Sequence, residues 1–319
     1  NSLYIMAVDT ALSPLLESHI IPDSIFALES QFYNLGDFYD SYGLNIDLIT
    51  DITGYPPVCR KLTGIKYFFS SDFFDNKLLK RIDNTSRLSF KIPPLGSVGV
   101  AAVYSALKLF KSEIFLTGLD FAFVPGKSHS RGTPFSKALL RKSNRLNSIN
   151  SYNLSMRRKI INRNGKIDNK TAQTDSVLES YAIILQDILS NEKRVYDITQ
   201  EGIPLGIPII NKDEFIEKVI QNKGFNIKSI QPISQKEDLT GFLESEKNYL
   251  LKLINEWESF VDTKDDRIPI SLMKSLLEVD YVYIDFPDRL PHPKKEISFI
   301  SRAVTSARFY ITHINKLLQ

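Results

Sequence analysis

Short apolar runs punctuated by polar clusters fill the first 125 residues, whereas longer stretches at helical period dominate the end of the chain. Leu3–Val8 is a continuous apolar run, the pattern of a strand buried on both faces of a parallel sheet. Asp9-Thr10 follows as a helix N-cap, and a short helix is predicted over Ala11–His19. Pro22-Asp23 turns the chain into a second strand, Ser24–Leu28, which ends in Glu29-Ser30-Gln31. Strand, helix and strand at this spacing make a βαβ unit with a right-handed crossover. Aromatic and polar residues mix across Phe32–Pro94, with further strands predicted near Ile46–Thr50 and Tyr67–Ser70. The rigid loop Pro93–Ser97 leads into an apolar helix over Val98–Phe110, and a strand over Glu113–Thr117 ends at Gly118-Leu119-Asp120. A helix over Ser176–Leu189 and a last strand over Arg194–Ile198, with Asp197 near its end, complete the series.

From Asn211 onward the period becomes helical and Lys and Glu become frequent. Phe242–Phe260 and Ile297–Leu318 read as amphipathic helices, with the charged segment Asp262–Ile268 as the interruption between them. The fold class is therefore α/β: a Rossmann-like, mostly parallel sheet with flanking helices over residues 1–210, followed by a helical C-terminal region over 211–319. A length of 319 residues is enough for a full hydrophobic core. The chain opens at Asn1, just ahead of an apolar run, and reads as a piece of a larger protein whose N-terminal portion is missing.

Composition narrows the function. With 43% hydrophobic and 24% charged residues the chain has the profile of a globular protein, and no apolar run reaches the length of a membrane span. One cysteine, Cys59, rules out an intrachain disulfide and a cysteine zinc cage, and fits a reducing cytoplasm. The net charge of +3, from 40 basic against 37 acidic residues, argues against a dedicated nucleic-acid binder.

In open α/β sheets ligands bind outside the carboxyl ends of the strands. That rule selects Asp9-Thr10, Glu29-Ser30-Gln31 and Thr117-Gly118 with Asp120, each directly after an apolar strand. Gly96-Ser97 joins them, because a helix start behind a glycine offers backbone amides to an anion. Singly, each residue also fits a cap or a turn; together they mark a site able to hold a ribose, a phosphate and a metal.

The near-neutral total hides an asymmetry. Lys127–Lys170 holds twelve basic residues and one acid, Asp168, a formal +11 that leaves −8 on the rest of the chain. This insertion, 127–170, reads either as a solvated surface loop or as a mobile basic lid for phosphates, with Lys127 and Arg131 as candidate contacts. Among four histidines only His129 lies in a glycine-flanked polar loop, which makes it the candidate general base, against the plainer reading of a surface histidine. No Gly-x-Ser-x-Gly elbow, His-Glu-x-x-His, Walker loop or Gly-x-Gly-x-x-Gly occurs, so the enzymes those motifs mark have no support.

Six blocks carry a family resemblance. Ala7–Leu16, Ile21–Ser24 and Leu28–Gln31 resemble the motility-associated-factor flagellin glycosyltransferases and their 6-hydroxymethylpterin diphosphokinase MptE-like domain. Gly96–Ala102, Ile114–Phe123 and the Gly-Lys-x-His segment Gly126–His129 continue it, so that the likeness extends over roughly 1–210. Gly96–Phe121 is also similar to bacterial sialyltransferases that use a CMP-activated sugar without metal. The resemblance implies transfer of a nonulosonic acid from a CMP donor to Ser or Thr of flagellin, with inversion, no required cofactor and no bound metal. The diphosphokinase side implies instead an ATP- and Mg²⁺-dependent pyrophosphoryl transferase with Asp9, Glu29 and Asp120 at the metal. A non-catalytic flagellin-binding module is the third reading. Two family features are absent: the Gly-x-Gly-Pro-Ser-Leu loop before the Asp-Thr-Ala strand, and the sialyltransferase histidine, in whose place stands Lys170–Asp175.

Overall fold

The computed structural model describes residues 3–71, 76–85, 90–123, 129–155, 159–166, 170–221, 239–263, 267–287 and 297–319. In chain order it forms β1 (Met6–Val8), α1 (Asp9–Glu17), β2 (Ser24–Ala27), a 3-10 segment (Phe32–Ser41), β3 (Asp47–Asp51), α2 (Pro56–Cys59) and β4 (Lys66–Ser71). There follow α3 (Lys77–Asn84), β5 (Lys91–Ile92), α4 (Val98–Leu109), β6 (Ile114–Leu116), α5 (Pro134–Lys142) and α6 (Ile149–Ser155). The remainder comprises β7 (Ile161–Asn164), β8 (Thr171–Thr174), α7 (Ser176–Leu189), β9 (Val195–Asp197), α8 (Lys212–Gln221), α9 (Thr240–Val261), α10 (Ile270–Glu278) and α11 (Ile297–Leu317).

The chain divides into two compact units: residues 1–72 with 90–230, and residues 73–89 with 231–319. The sequence pattern places the change of character after 210. The observed division falls some residues later, and the second unit also recruits the segment carrying α3 from between β4 and β5.

In the first unit β1 to β5 form a parallel sheet in sequential order, and β6 pairs with β9, also parallel. The register explains why these strands read as unbroken apolar runs. The row Ala7, Ile25, Leu48 packs on one face against Leu12 of α1, Phe38 of the 3-10 segment and Val58 of α2. The adjacent row Val8, Phe26, Ile49, Tyr67 packs on the other face against Ala101 and Ala102 of α4. Sequential order with right-handed crossovers puts α1, the 3-10 segment and α2 on one side, leaving the opposite face to α4. That helix is apolar nearly all round because its far side also carries a core: Val100 and Val103 pack with Leu116, Ala182, Leu185 and Val195. α7 starts where its cap dictates, with Asp175 Oδ1 accepting from the amides of Val177 and Leu178.

The basic insertion is built rather than featureless. Its described part folds into α5, α6 and the antiparallel hairpin β7–β8. Lys137 of α5 lies on α1 and the 3-10 segment, 2.8 Å from Glu17, 3.0 Å from Asp40 and 2.8 Å from Ser13.

In the second unit, α9, α10 and α11 share a core of Leu250, Leu253, Trp257, Leu272, Phe299 and Ile300, with Ala303 and Ala307 one turn apart on α11. α3 is fastened there by Arg81, which grips the buried Glu246 through two nitrogens, lies over the ring of Tyr249 and donates to the carbonyl of Glu278. The Tyr281 hydroxyl also donates to Glu246. Among the described residues no helix is long and apolar enough to cross a membrane.

Candidate functional site

The carboxyl ends of the strands in the first unit carry two carboxylate clusters. The first follows β1 and β2. Asp9 is the first residue of α1 rather than its cap, a position Val8 occupies. The Asp9 side chain is buried, accepting from the Thr10 amide at 2.8 Å and from the Asn34 amide nitrogen at 2.7 Å. Burial raises its pKa above the ordinary carboxylate range, and the negative charge of Glu29 adds to the effect. Asp37, one 3-10 turn beyond Asn34, is half-buried and pushed up to about 6 by lost hydration and by the charge of Asp9. Glu29, Ser30 and Gln31 form an exposed turn after β2, in which the Glu29 carboxylate accepts from the Gln31 amide. Thr10 is exposed beside them.

The second cluster follows β6 and β9. Lys166, from the loop after β7, and Asp197, the last residue of β9, form an ion pair at 2.7 Å with side chains 0% and 2% exposed. The pair is held by charge more than by an aligned hydrogen bond. Asp197 also accepts from the Thr199 amide, and the Thr199 hydroxyl in turn receives the Gly118 amide at 3.0 Å. Gly118 adopts a left-handed φ of 75°, and the next turn is forced as well, since Phe121 has φ 48°. Gly202 presses against the backbone of Asp120: a Cβ there would stand 2.2 Å from the Asp120 carbonyl oxygen, so only glycine fits. The Ile203 amide donates to that oxygen, and the Lys166 ammonium reaches the Leu119 carbonyl at 3.4 Å.

This scaffold fixes the loop that carries Asp120. Its side chain is half-buried, and its Oδ1 is withdrawn from water with no hydrogen-bond partner. Burial raises the pKa of Asp120; Lys166 pulls it down, and Glu201 and Asp197 push it up again. A carboxylate with an uncommitted oxygen and raised proton affinity, on an over-determined loop, can accept a proton.

The remaining expected residues fall as follows. Gly96, at φ 73°, sits against the ring of Tyr181, and Ser97 occupies the cap position of α4 without a side-chain capping bond. The first-turn amides of α4 therefore have no intrahelical partner. Thr117 and Arg131 are exposed. His129 lies tilted against Phe135 with ring centroids 4.2 Å apart, and partial burial lowers its pKa, so it is neutral at pH 7. Lys127 lies outside the described residues, as do Arg157, Arg158 and Asp168. The structure thus joins Asp9 with Glu29, and Asp120 with Lys166 and Asp197. Sequence reasoning missed Asn34, Asp37, Lys166, Thr199 and Gly202. Of these, Lys166 had the clearest available partner, Asp197 at the end of a predicted strand.

Comparison with known proteins follows this geometry. Residues 1–126, which carry β1 to β6 and the first cluster, match the family described as 6-hydroxymethylpterin diphosphokinase MptE-like, as the motifs from Ala7 to Phe123 led one to expect. An uncharacterized protein of Treponema pallidum (strain Nichols) is 25% identical over 350 residues, covering 99% of this chain. The chain spans 58% of the length of that relative. A solved structure of MAf glycosyltransferase from Magnetospirillum magneticum AMB-1 aligns with 98% of this chain and 45% of its own, at a TM-score of 0.46 and 14% identity.

Proposed function

We propose that this chain is a transferase that uses a nucleotide-activated sugar, with a CMP-linked nonulosonic acid as donor and Ser or Thr of flagellin as acceptor. The observation that carries this reading is Asp120: a half-buried carboxylate, one oxygen unpartnered, held at a strand end on a loop pinned by Gly202 and Lys166. In the reaction Asp120 takes the proton of the acceptor hydroxyl. The hydroxyl oxygen bonds to the anomeric carbon as the bond from that carbon to phosphate breaks, and CMP leaves with the electron pair. The α4 amides behind Gly96-Ser97, together with Lys127 and Arg131, are assigned to the negative charge on the departing phosphate. Thr117 and Gly118 line the same strand end, and Asp9, Thr10, Glu29, Ser30 and Gln31 are assigned to the nucleotide. His129, neutral at pH 7, is the alternative base.

The match of residues 1–126 to a diphosphokinase-like family favours a second reading, pyrophosphoryl transfer from ATP with Mg²⁺. Asp9, Glu29 and Asp120 do not fit the metal set that reading requires: among the described residues no three His, Cys, Asp or Glu side chains are grouped so as to hold an ion.

The test is transfer to flagellin from the CMP donor, with binding followed by thermal shift. Asp120→Asn is expected to lower transfer by about 10²- to 10⁴-fold while the shift produced by CMP persists. Undiminished transfer by this variant removes Asp120 as the base. Stabilisation by ATP with Mg²⁺ and not by CMP moves the assignment to the second reading.

A further inference from the structure

The interface of α1 with the 3-10 segment is a polar ladder with two unlike ends. In a 3-10 helix residues three apart eclipse one another, so Asn34, Asp37 and Asp40 share a face. That face runs along α1, where Asp9 and Ser13 are one helical turn apart. At one end Asp40 accepts from the Ser13 hydroxyl at 2.9 Å and pairs with Lys137. At the other end stand Asp9, Asn34 and Asp37, with no cation among their described contacts.

The uncompensated end is made of acceptors. Asn34 donates one N–H of its amide to Asp9, and this bond orients the amide. The other end of that amide, Asn34 Oδ1, belongs to a residue 5% exposed and has no hydrogen-bond partner. Buried amide oxygens are rarely left this way, because each forgoes a bond to water. Asp37 likewise makes no hydrogen bond to a described residue; its recorded neighbour is the charge of Asp9. The site therefore asks for a ligand that brings donors. A single metal ion is a poor answer, because no three side chains of ligand type converge among the described residues. Hydroxyl groups spread around a ring match acceptors that are themselves spread out.

We infer that Asp9, Asn34 and Asp37 form a subsite for the hydroxyl groups of a sugar ring. This deepens the proposed transferase reading and rests on it for the choice of ring: the ribose of the nucleotide or the transferred sugar itself.

The experiment is titration of the full chain, by calorimetry, with CMP, AMP, their 2′-deoxy forms and N-acetylneuraminic acid. It is repeated with Asp37→Leu and with the near-isosteric Asp37→Asn, which keeps the test open should Asp37→Leu not fold. If ribose is the ring, 2′-deoxy forms bind about tenfold more weakly or worse to the wild type, and Asp37→Leu erases that difference. If the transferred sugar is the ring, the 2′-deoxy change is silent while both variants lose affinity for N-acetylneuraminic acid. CMP binding indifferent to the 2′-hydroxyl, with affinity for both CMP and N-acetylneuraminic acid unmoved by either variant, overturns the subsite and leaves the donor reading standing. AMP preferred over CMP, with the hydroxyl effect intact, keeps the subsite and overturns the CMP reading. No binding of any probe overturns both.

Discussion

The two carboxylate clusters of the first unit occupy equivalent places, just beyond the ends of parallel strands, yet their charges are handled in opposite ways. Around Asp197 a lysine is drawn fully out of water to meet the carboxylate, and the hydrogen bonds of Thr199, Gly118 and Gly202 organise around that pair. Around Asp9 two acids lie close to each other, and burial holds both at raised pKa, with no cation among their described contacts to offset it. An internal counter-ion turns an acid into scaffold, as with Asp197. Its absence leaves acceptors for something that is not part of the chain. Asp120 stands between these cases: close enough to Lys166 to feel it, yet with one oxygen uncommitted.

The comparison can be broken most sharply at Lys166. Lys166→Met leaves Asp197 buried and unpaired and is expected to cost about 3–5 kcal/mol in urea unfolding, whereas the double variant Lys166→Met/Asp197→Leu recovers most of that loss. A single-variant cost below about 1 kcal/mol means the pair does not organise the cluster. A smaller effect is expected at Asp37. Its carboxyl titrates near 6 in the folded chain against an ordinary 3.8, so the native state binds that proton more tightly than the unfolded state. Stability therefore falls as pH rises from about 4 to about 6 and levels off above, by about 1–2 kcal/mol given the group's remaining contact with water. Asp37→Asn should flatten that fall and be the more stable protein at pH 7; the part of the slope that survives belongs to the other carboxyls whose pKa burial raises, Asp9, Asp120 and Asp280. An unchanged slope in urea melts across this range assigns the whole effect elsewhere. The smallest effect belongs to the compensated end of the ladder. Lys137 is partly exposed, so Lys137→Ala should cost under about 1 kcal/mol by the same measurement, with a dependence on salt.

How much of this was legible in the sequence depended on where apolar side chains point. Leu3–Val8, Ser24–Leu28 and Val98–Phe110 announced themselves because both faces of those elements are buried, and α7 because Asp175 caps an apolar run. The hairpin β7–β8 did not. Its strands read Ile-Asn-Arg-Asn and Thr-Ala-Gln-Thr, and Ala172 and Thr174 are the buried positions. β5 is two residues long and carries no pattern. In the site, acids directly after strands were visible, since chain order alone places them. Lys166 was hidden among eleven other basic residues, because a charge run looks solvated whichever of its members turns inward. Asn34 and Asp37 depend on a 3-10 spacing of three, which a search at periods of 2 and 3.6 passes over.

The recruitment of α3 into the second unit bears on how the gene can be cut. The polypeptide passes from the first unit to the second and back between β4 and β5, then leaves for good after residue 230. A stop codon there removes α9, α10 and α11 but strands α3, with the Arg81 guanidinium deprived of the Glu246 carboxylate that it grips. Separating the two halves cleanly takes two edits, an excised segment bridged by a short linker as well as a new terminus. A graft of the helical half onto another protein must carry residues 73–89 along with it.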